Sequence, residues 1–479
     1  MVFLINSLNH VVIRIVAFLW LITGWGCRKL IEVPPPVDTI TTSQVFSRAE
    51  EANSAIAAIY SDLSQGNNSF ASYATTVFCG LSADELTLPA TRPADWMQFY
   101  QNNLFAGNTY ITNIFWADLY KHIYRSNALL EGLQNSTIKD SVKRPMEGQA
   151  RFIRAFCNFY LVNLFGSVPL VKTINWRSTN LLSRSTESEV YQQIIDDLKE
   201  AEILLAETPT TGDRASVIPY KAAATALLSR VYLYTGDWIN AEIKSSSLID
   251  NPAFQLEPLN RVFAWNSTEA IWQLKQNNSR SPSYNVTPEG YFIRPRTLNS
   301  NQLPAVWFTE VTLNSFQNGD QRRFEWIDST RYTVDNKWYY FPGKYKQGAG
   351  QVSANGTYSQ YYMVLRLSEQ YLIRAEARLK QNKLAPALED INVIRQRSGL
   401  NALVNEYDTN TLMTQLVKES QAEFIAEWGH RWLDLKRWKT VSVVLSSIKG
   451  DHWQPEDQLY PIPQFEIASN PNLTQNESY

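Results

Sequence analysis

The stretch Ala222–Ile249, AAATALLSRVYLYTGDWINAEIKSSSLI, decides the fold because it holds two helices and the turn between them. Ala222, Ala226, Leu227, Val231, Leu233 and Tyr234 recur at helical spacings, which makes one face apolar and leaves Lys221, Ser229 and Arg230 on the other. Gly236 is placed to stop the first helix, since glycine takes the left-handed conformation of a helix end at no steric cost. Asp237 is placed to cap the second, whose inward stripe is Trp238, Ala241 and Leu248.

The small residues where these helices would cross, the tyrosine near the first C-terminus and Gly-Asp-Trp-x-x-Ala at the turn resemble a tetratricopeptide repeat. One such pair cannot bury both of its apolar faces, so stacked neighbours are expected. Leu367–Leu400 has the same grammar, with Tyr371, Ala375, Ala377 and Leu379 before a break at Gln381-Asn382, then Ala387, Leu388, Ile391 and Ile394, closed by Gly399. Weaker copies are 45–63, 114–133 paired with 142–165, and 187–206. The predicted fold class is mainly α, a tetratricopeptide-like superhelix of helix pairs with long irregular loop insertions and a few short β-strands.

The N-terminus reads as a targeting segment. Arg14 precedes an apolar run from Ile15 to Gly26 of about 12 residues, roughly 18 Å as helix against the roughly 30 Å of a bilayer core. A short apolar run ending in a cysteine behind a small residue indicates a bacterial lipoprotein signal at 1–26, with Cys27 the lipidated residue. Gly24 and Trp25 depart from the aliphatic pattern usual before such a cysteine. Residues 27–43 follow as a linker stiffened by Pro34–Pro36, and 44–479 form the body.

The 479-residue chain is 44% hydrophobic and 19% charged with a formal charge of −2, which supplies core for a large domain and no basic footprint for nucleic acid. Cys157 sits within an apolar helical pattern and reads as a small buried hydrophobe; a disulfide with Cys79 is left open. His10, His122, His430 and His452 lack metal-ligand spacing, and neither a nucleophile elbow nor a phosphate loop is present. No enzyme, metal or cofactor is therefore expected. Asp84-Glu85 reads as a loop cap or turn, and Glu147 and Arg151 are spaced to pair along a helix.

Two segments interrupt the repeats. Residues 84–108 read as a structured loop with at most a short helix, and 253–359 as an insert rich in Pro, Asn, Gly and aromatics, with a strand at 270–275. The chain holds 15 Trp, 24 Tyr and 21 Phe, many of them in these segments. Flat rings beside Arg, Asp and Asn suit a sugar, whose C–H face is apolar and whose hydroxyl rim needs donors and acceptors. Arg92, Asp95, Trp96, Tyr100 and Asn102 bring that mixture together, with Trp96 read as an exposed loop platform. Tyr291 and Trp338 are the next candidates.

Five ordered blocks carry a family resemblance: Arg151–Val171 (RFIRAFCNFYLVNLFGSVPLV), the opening unit, Arg366–Leu400, Glu423–Trp438 (EFIAEWGHRWLDLKRW) and Tyr460–Asn476 (YPIPQFEIASNPNLTQN). The chain resembles the SusD/RagB family of outer-membrane lipoproteins. Glu477-Ser478-Tyr479 at the end and Arg28-Lys29 after Cys27 depart from the family pattern. In the fourth block Gly429 is expected to end a helix and Asp434 to pair with Arg431 and Arg437, while the proline-rich tail is expected to strap the surface. The resemblance implies capture of a nutrient, an oligosaccharide or glycan, and its delivery to a SusC-like TonB-dependent transporter from a lipid anchor in the outer membrane. The alternative is a transporter lid for peptide or other cargo, with little ligand affinity of its own.

Overall fold

The computed structural model describes residues 46, 48–64, 69–209, 217–277, 282–404 and 408–479, so the signal, Cys27 and the proline linker lie outside the described residues. In chain order the helices that carry the argument are α1 Ala49–Leu63, α2 Thr75–Ser82, α3 Ala94–Gln101, α4 Asp118–Gln134, α5 Asp140–Phe165, α6 Glu187–Leu204, α7 Lys221–Thr235 and α8 Trp238–Ile249. They continue as α9 Pro288–Ile293, α10 Leu367–Lys380, α11 Leu384–Arg397, α12 Thr409–Glu423, α13 His430–Arg437, α14 Val441–Lys449 and α15 Gln464–Ser469. Successive helices pack on one another: α4 on α5, α5 on α6, α6 on α7, α7 on α8, and then α8 on α10 across the insert, with α11 and α12 completing the stack.

The turn of the opening unit folds as its sequence dictates, but Ser229 and Arg230, read onto a polar face, are buried, with Arg230 paired to Glu369 and Ser229 bonded to Gln370. Helix α7 ends at Gly236, whose φ of 77° is the left-handed conformation, and the Asp237 side chain accepts the Asn240 N–H to cap α8. Ala223, Ala224, Ala226 and Ala241 are fully buried, and small side chains of this kind let paired helices approach closely. In the second unit α10 and α11 are separated by Asn382, with φ 59°, and Gly399 closes the pair at φ 80°.

Six short strands form two-stranded antiparallel pairs among the described residues. β1 (Leu86–Thr87) pairs with β3 (Trp307–Phe308), β2 (Ala270–Leu274) with β6 (Tyr362–Arg366), and β4 (Ile327–Tyr332) with β5 (Lys337–Pro342). The insert is fastened to the helices by buried charge. Arg366 donates to Glu269 at 3.0 Å, Glu423 at 2.5 Å and Glu427 at 2.8 Å, while Arg322 reaches Glu419 at 2.8 Å and Lys344 reaches Glu427 at 2.6 Å. Burial alone would raise the Glu423 pKa, but the charges of Arg397, Arg366 and Arg322 outweigh it and hold the carboxyl well below its usual range.

Several local expectations change. Gly429 does not end a helix; α12 stops before Phe424, and Gly429, at φ 72°, starts α13. Asp434 pairs with Arg437 at 2.8 Å, whereas Arg431 turns to Asp84 in a bidentate pair at 2.8 and 2.7 Å. Asp84 is thereby a buried tie between the first loop and α13, and burial pushes the Glu85 carboxyl beside it up to about 8. Arg151 reaches Asp197 on α6 rather than Glu147 on its own helix, and Arg154 joins it there at 2.6 Å. Cys79 and Cys157 are free thiols, both buried. The tail straps the body: Tyr460 N–H bonds the Leu164 carbonyl at 2.7 Å and the Asn476 amide bonds the Phe165 carbonyl at 3.0 Å. No helix among the described residues is long and apolar enough to cross a membrane.

Candidate functional site

Wide π-type turns shape the walls of a recess. At Phe70–Ala74 the Thr75 N–H reaches back five residues to Phe70, and the same winding recurs at Ile111–Ala117, just before α4. Such turns displace side chains from the regular helical register and often mark functional positions. Tyr73 comes from the first; Tyr110, which caps the second, and Asn113 and Ile114 within it line the same recess.

The recess these residues line, with Arg92, Pro93, Trp96, Thr109 and Phe292, has a volume of about 370 Å³. Its aromatic side is a layered cluster. Tyr73 stacks on Phe292 at 3.6 Å with the rings 3° from parallel, Trp96 lies 5.5 Å from Phe292, and Tyr110 meets Trp96 edge-on at 5.8 Å. Its polar side is Arg92, Thr109 and Asn113. The Arg92 guanidinium lies 5.3 Å over the Trp96 ring and is held by Nε donating to the Ala305 carbonyl at 3.2 Å. Desolvation lowers the Arg92 pKa, opposed by the neighbouring Tyr73 and Tyr110 hydroxyls, and burial raises that of Tyr73. The Trp96 Nε1–H is buried with no acceptor, which is a costly state for a polar group unless something else bonds to it.

The sequence candidates do not converge as a set. Arg92 and Trp96 line the recess, but Trp96 belongs to α3 and is 2% exposed, packed edge-on against Phe78 at 4.9 Å, so it is a core ring with one edge on the recess rather than a free platform. Asp95 supports the wall: its Oδ2 accepts from the Thr109 N–H at 3.0 Å and the Thr109 hydroxyl at 2.5 Å. Asn102 is the left-handed cap of α3, 3% exposed, with its amide donating to the Ser82 carbonyl at 3.0 Å and its Oδ1 buried without a donor, and it does not line the recess. Tyr100 lies beneath the Lys449 ammonium, 4.4 Å from the ring centre, and is not a lining residue.

On α9 it is Phe292, not Tyr291, that lines the recess, since neighbouring helical positions point about 100° apart. Trp338 is 55% exposed on β5, opposite Arg331, and does not line the recess. Sequence reasoning missed Tyr73, Tyr110, Asn113 and Phe292. The helical spacing of Tyr110, Asn113 and Ile114 was legible; the arrival of Tyr73 and Phe292 from distant segments was not. Among the described residues no group of three or more His, Cys, Asp or Glu is placed to hold a metal ion.

Comparison with known proteins agrees with the fold. Residues 30–233 match a family described as "Starch-binding associating with outer membrane", and residues 330–479 match the SusD family. "SusD-like protein P2" of Formosa agariphila is 25% identical over 97% of this chain and 98% of its own length. A SusD superfamily protein from Bacteroides vulgatus superposes with a TM-score of 0.77 at 21% identity, covering 91% of this chain and all (100%) of that one. A laminarin-binding SusD-like protein superposes with a TM-score of 0.76 at 23% identity, covering 90% and 99%. With matching segments at both ends, a relative aligned along its whole length and the same helical scaffold, the chain belongs to the SusD/RagB family.

Proposed function

We propose that this protein captures an oligosaccharide at the outer membrane and passes it to a SusC-like TonB-dependent transporter, as a binding protein rather than an enzyme. The observation that carries the reading is the recess of Tyr73, Trp96, Tyr110 and Phe292 rimmed by Arg92, Thr109 and Asn113. Apolar ring surface would lie against a sugar's C–H face. Arg92 and Asn113 would bond its hydroxyls, and the unpartnered Trp96 Nε1–H would find an acceptor in a hydroxyl or ring oxygen. Lipid attachment at Cys27 and the proline linker would hold the body at the membrane surface.

Calorimetric titration with laminarin and starch oligosaccharides tests the capture step. Binding by the wild type that weakens in Arg92→Ala and Asn113→Ala supports the reading; absence of binding to any glycan, with a peptide bound instead, moves it to the lid alternative. Anchoring and partnership are tested in native membranes. Cys27→Ala should leave the outer-membrane fraction, and capture of the wild type should recover a large barrel protein.

A further inference from the structure

A second cavity, of about 540 Å³, lies between α1, α5 and the end of β2 and shares no lining residue with the recess. Its size falls in the range of small-molecule sites, about 300–1,000 Å³. Ile56 and Leu274 form an apolar wall, and Tyr60 and Tyr358 supply rings. Two polar groups at this cavity have unmet capacity. Gln276 is 3% exposed and donates both amide hydrogens, to the carbonyls of Asn285 at 3.2 Å and Gln360 at 2.8 Å, yet its Oε1 is buried with no donor. Lys275, exposed at the lining, holds its ammonium 5.2 Å and 5.5 Å from the Tyr358 and Tyr361 ring centres and has no carboxylate partner among the described residues.

A buried carbonyl oxygen without a donor requires an O–H or N–H, and an ammonium steadied over rings but without an anion is open to a carboxylate. The apolar wall and rings require a ligand with a flat C–H face. We infer that this cavity is a second binding site for an acidic sugar, in which a uronic acid lays its ring against Tyr60 and Tyr358, donates a hydroxyl hydrogen to Gln276 Oε1 and pairs its carboxylate with Lys275. The site stands apart from the recess and does not depend on what the recess binds.

The test titrates the full chain with digalacturonic acid and, as the neutral control, cellobiose. Digalacturonic acid should bind, weaken about tenfold or more in Lys275→Met and in Gln276→Leu, weaken as salt is raised, and keep its Lys275-dependent binding step in Arg92→Ala. Ala57→Trp, which places a large ring in the cavity from an exposed position on α1, should abolish it. Lys275→Met changes an exposed side chain, so its effect is readable even where the Gln276 variant melts early. No binding of digalacturonic acid, cellobiose binding that falls equally in Lys275→Met, or loss of digalacturonic acid binding with Arg92→Ala while Lys275→Met binds normally would each overturn the assignment.

Discussion

At the residue scale, Trp96 couples binding to stability. Its ring packs against Phe78, Tyr110 and Phe292, so Trp96→Ala should cost about 3–5 kcal/mol of stability as well as ligand affinity, visible as a lower melting temperature alongside a weaker titration. Arg92 separates the two effects. It is half-buried, and Arg92→Ala should weaken glycan binding about tenfold while leaving the melt within a few degrees of wild type. A third residue reports on pH. Burial pushes the Glu289 carboxyl up to about 8, opposed by hydrogen bonds from Thr76 and Tyr362. A raised carboxyl pKa means the native state keeps a proton that the unfolded chain releases near 4.5, so this stabilisation is present at low pH and is lost as pH rises towards 8. Glu289→Gln keeps a neutral group in that place. Its melting temperature relative to wild type should therefore climb between pH 5 and pH 8, and a difference that stays flat across that window would show that Glu289 does not titrate there.

At the element scale, the glycines that end or begin helices are not equivalent. Gly236 has φ 77°, but a Cβ there would meet nothing nearer than a Trp238 ring carbon at 3.5 Å. Gly236→Ala should therefore cost only the left-handed backbone strain, about 1 kcal/mol. Gly429, at φ 72°, would place a Cβ 2.7 Å from Cys79 Cβ and 2.9 Å from its Sγ, both in the packed core. Gly429→Ala should cost more than Gly236→Ala by at least about 1 kcal/mol, because overpacking adds to the same strain; denaturant melts of the two variants make the comparison. The first position could be assigned by reading its local pattern. The second could not, since its helix pattern runs through Trp428 and Gly429 without marking which side of the glycine is helical.

At the scale of the whole molecule, the insert and the repeat helices share one buried charge network centred on Arg366. Arg366→Met would leave Glu269, Glu423 and Glu427 short of a counter-charge in the interior, and should destabilise the protein by about 3–5 kcal/mol; denaturant unfolding measures it. The sequence by itself determined the helical scaffold, because helix faces, caps and turns are set by residues within a few positions of one another: Gly236, Asp237 and Gly399 act where they stand. It also carried Arg92 and Trp96 into the candidate site. Tertiary structure alone decided that Trp96 is buried, that Asn102 caps a helix, that Arg431 serves Asp84, and that Tyr73, Tyr110 and Phe292 complete one recess. Those outcomes depend on segments up to hundreds of residues apart meeting when apolar faces are buried, and local spacing holds no record of which distant side chain will arrive.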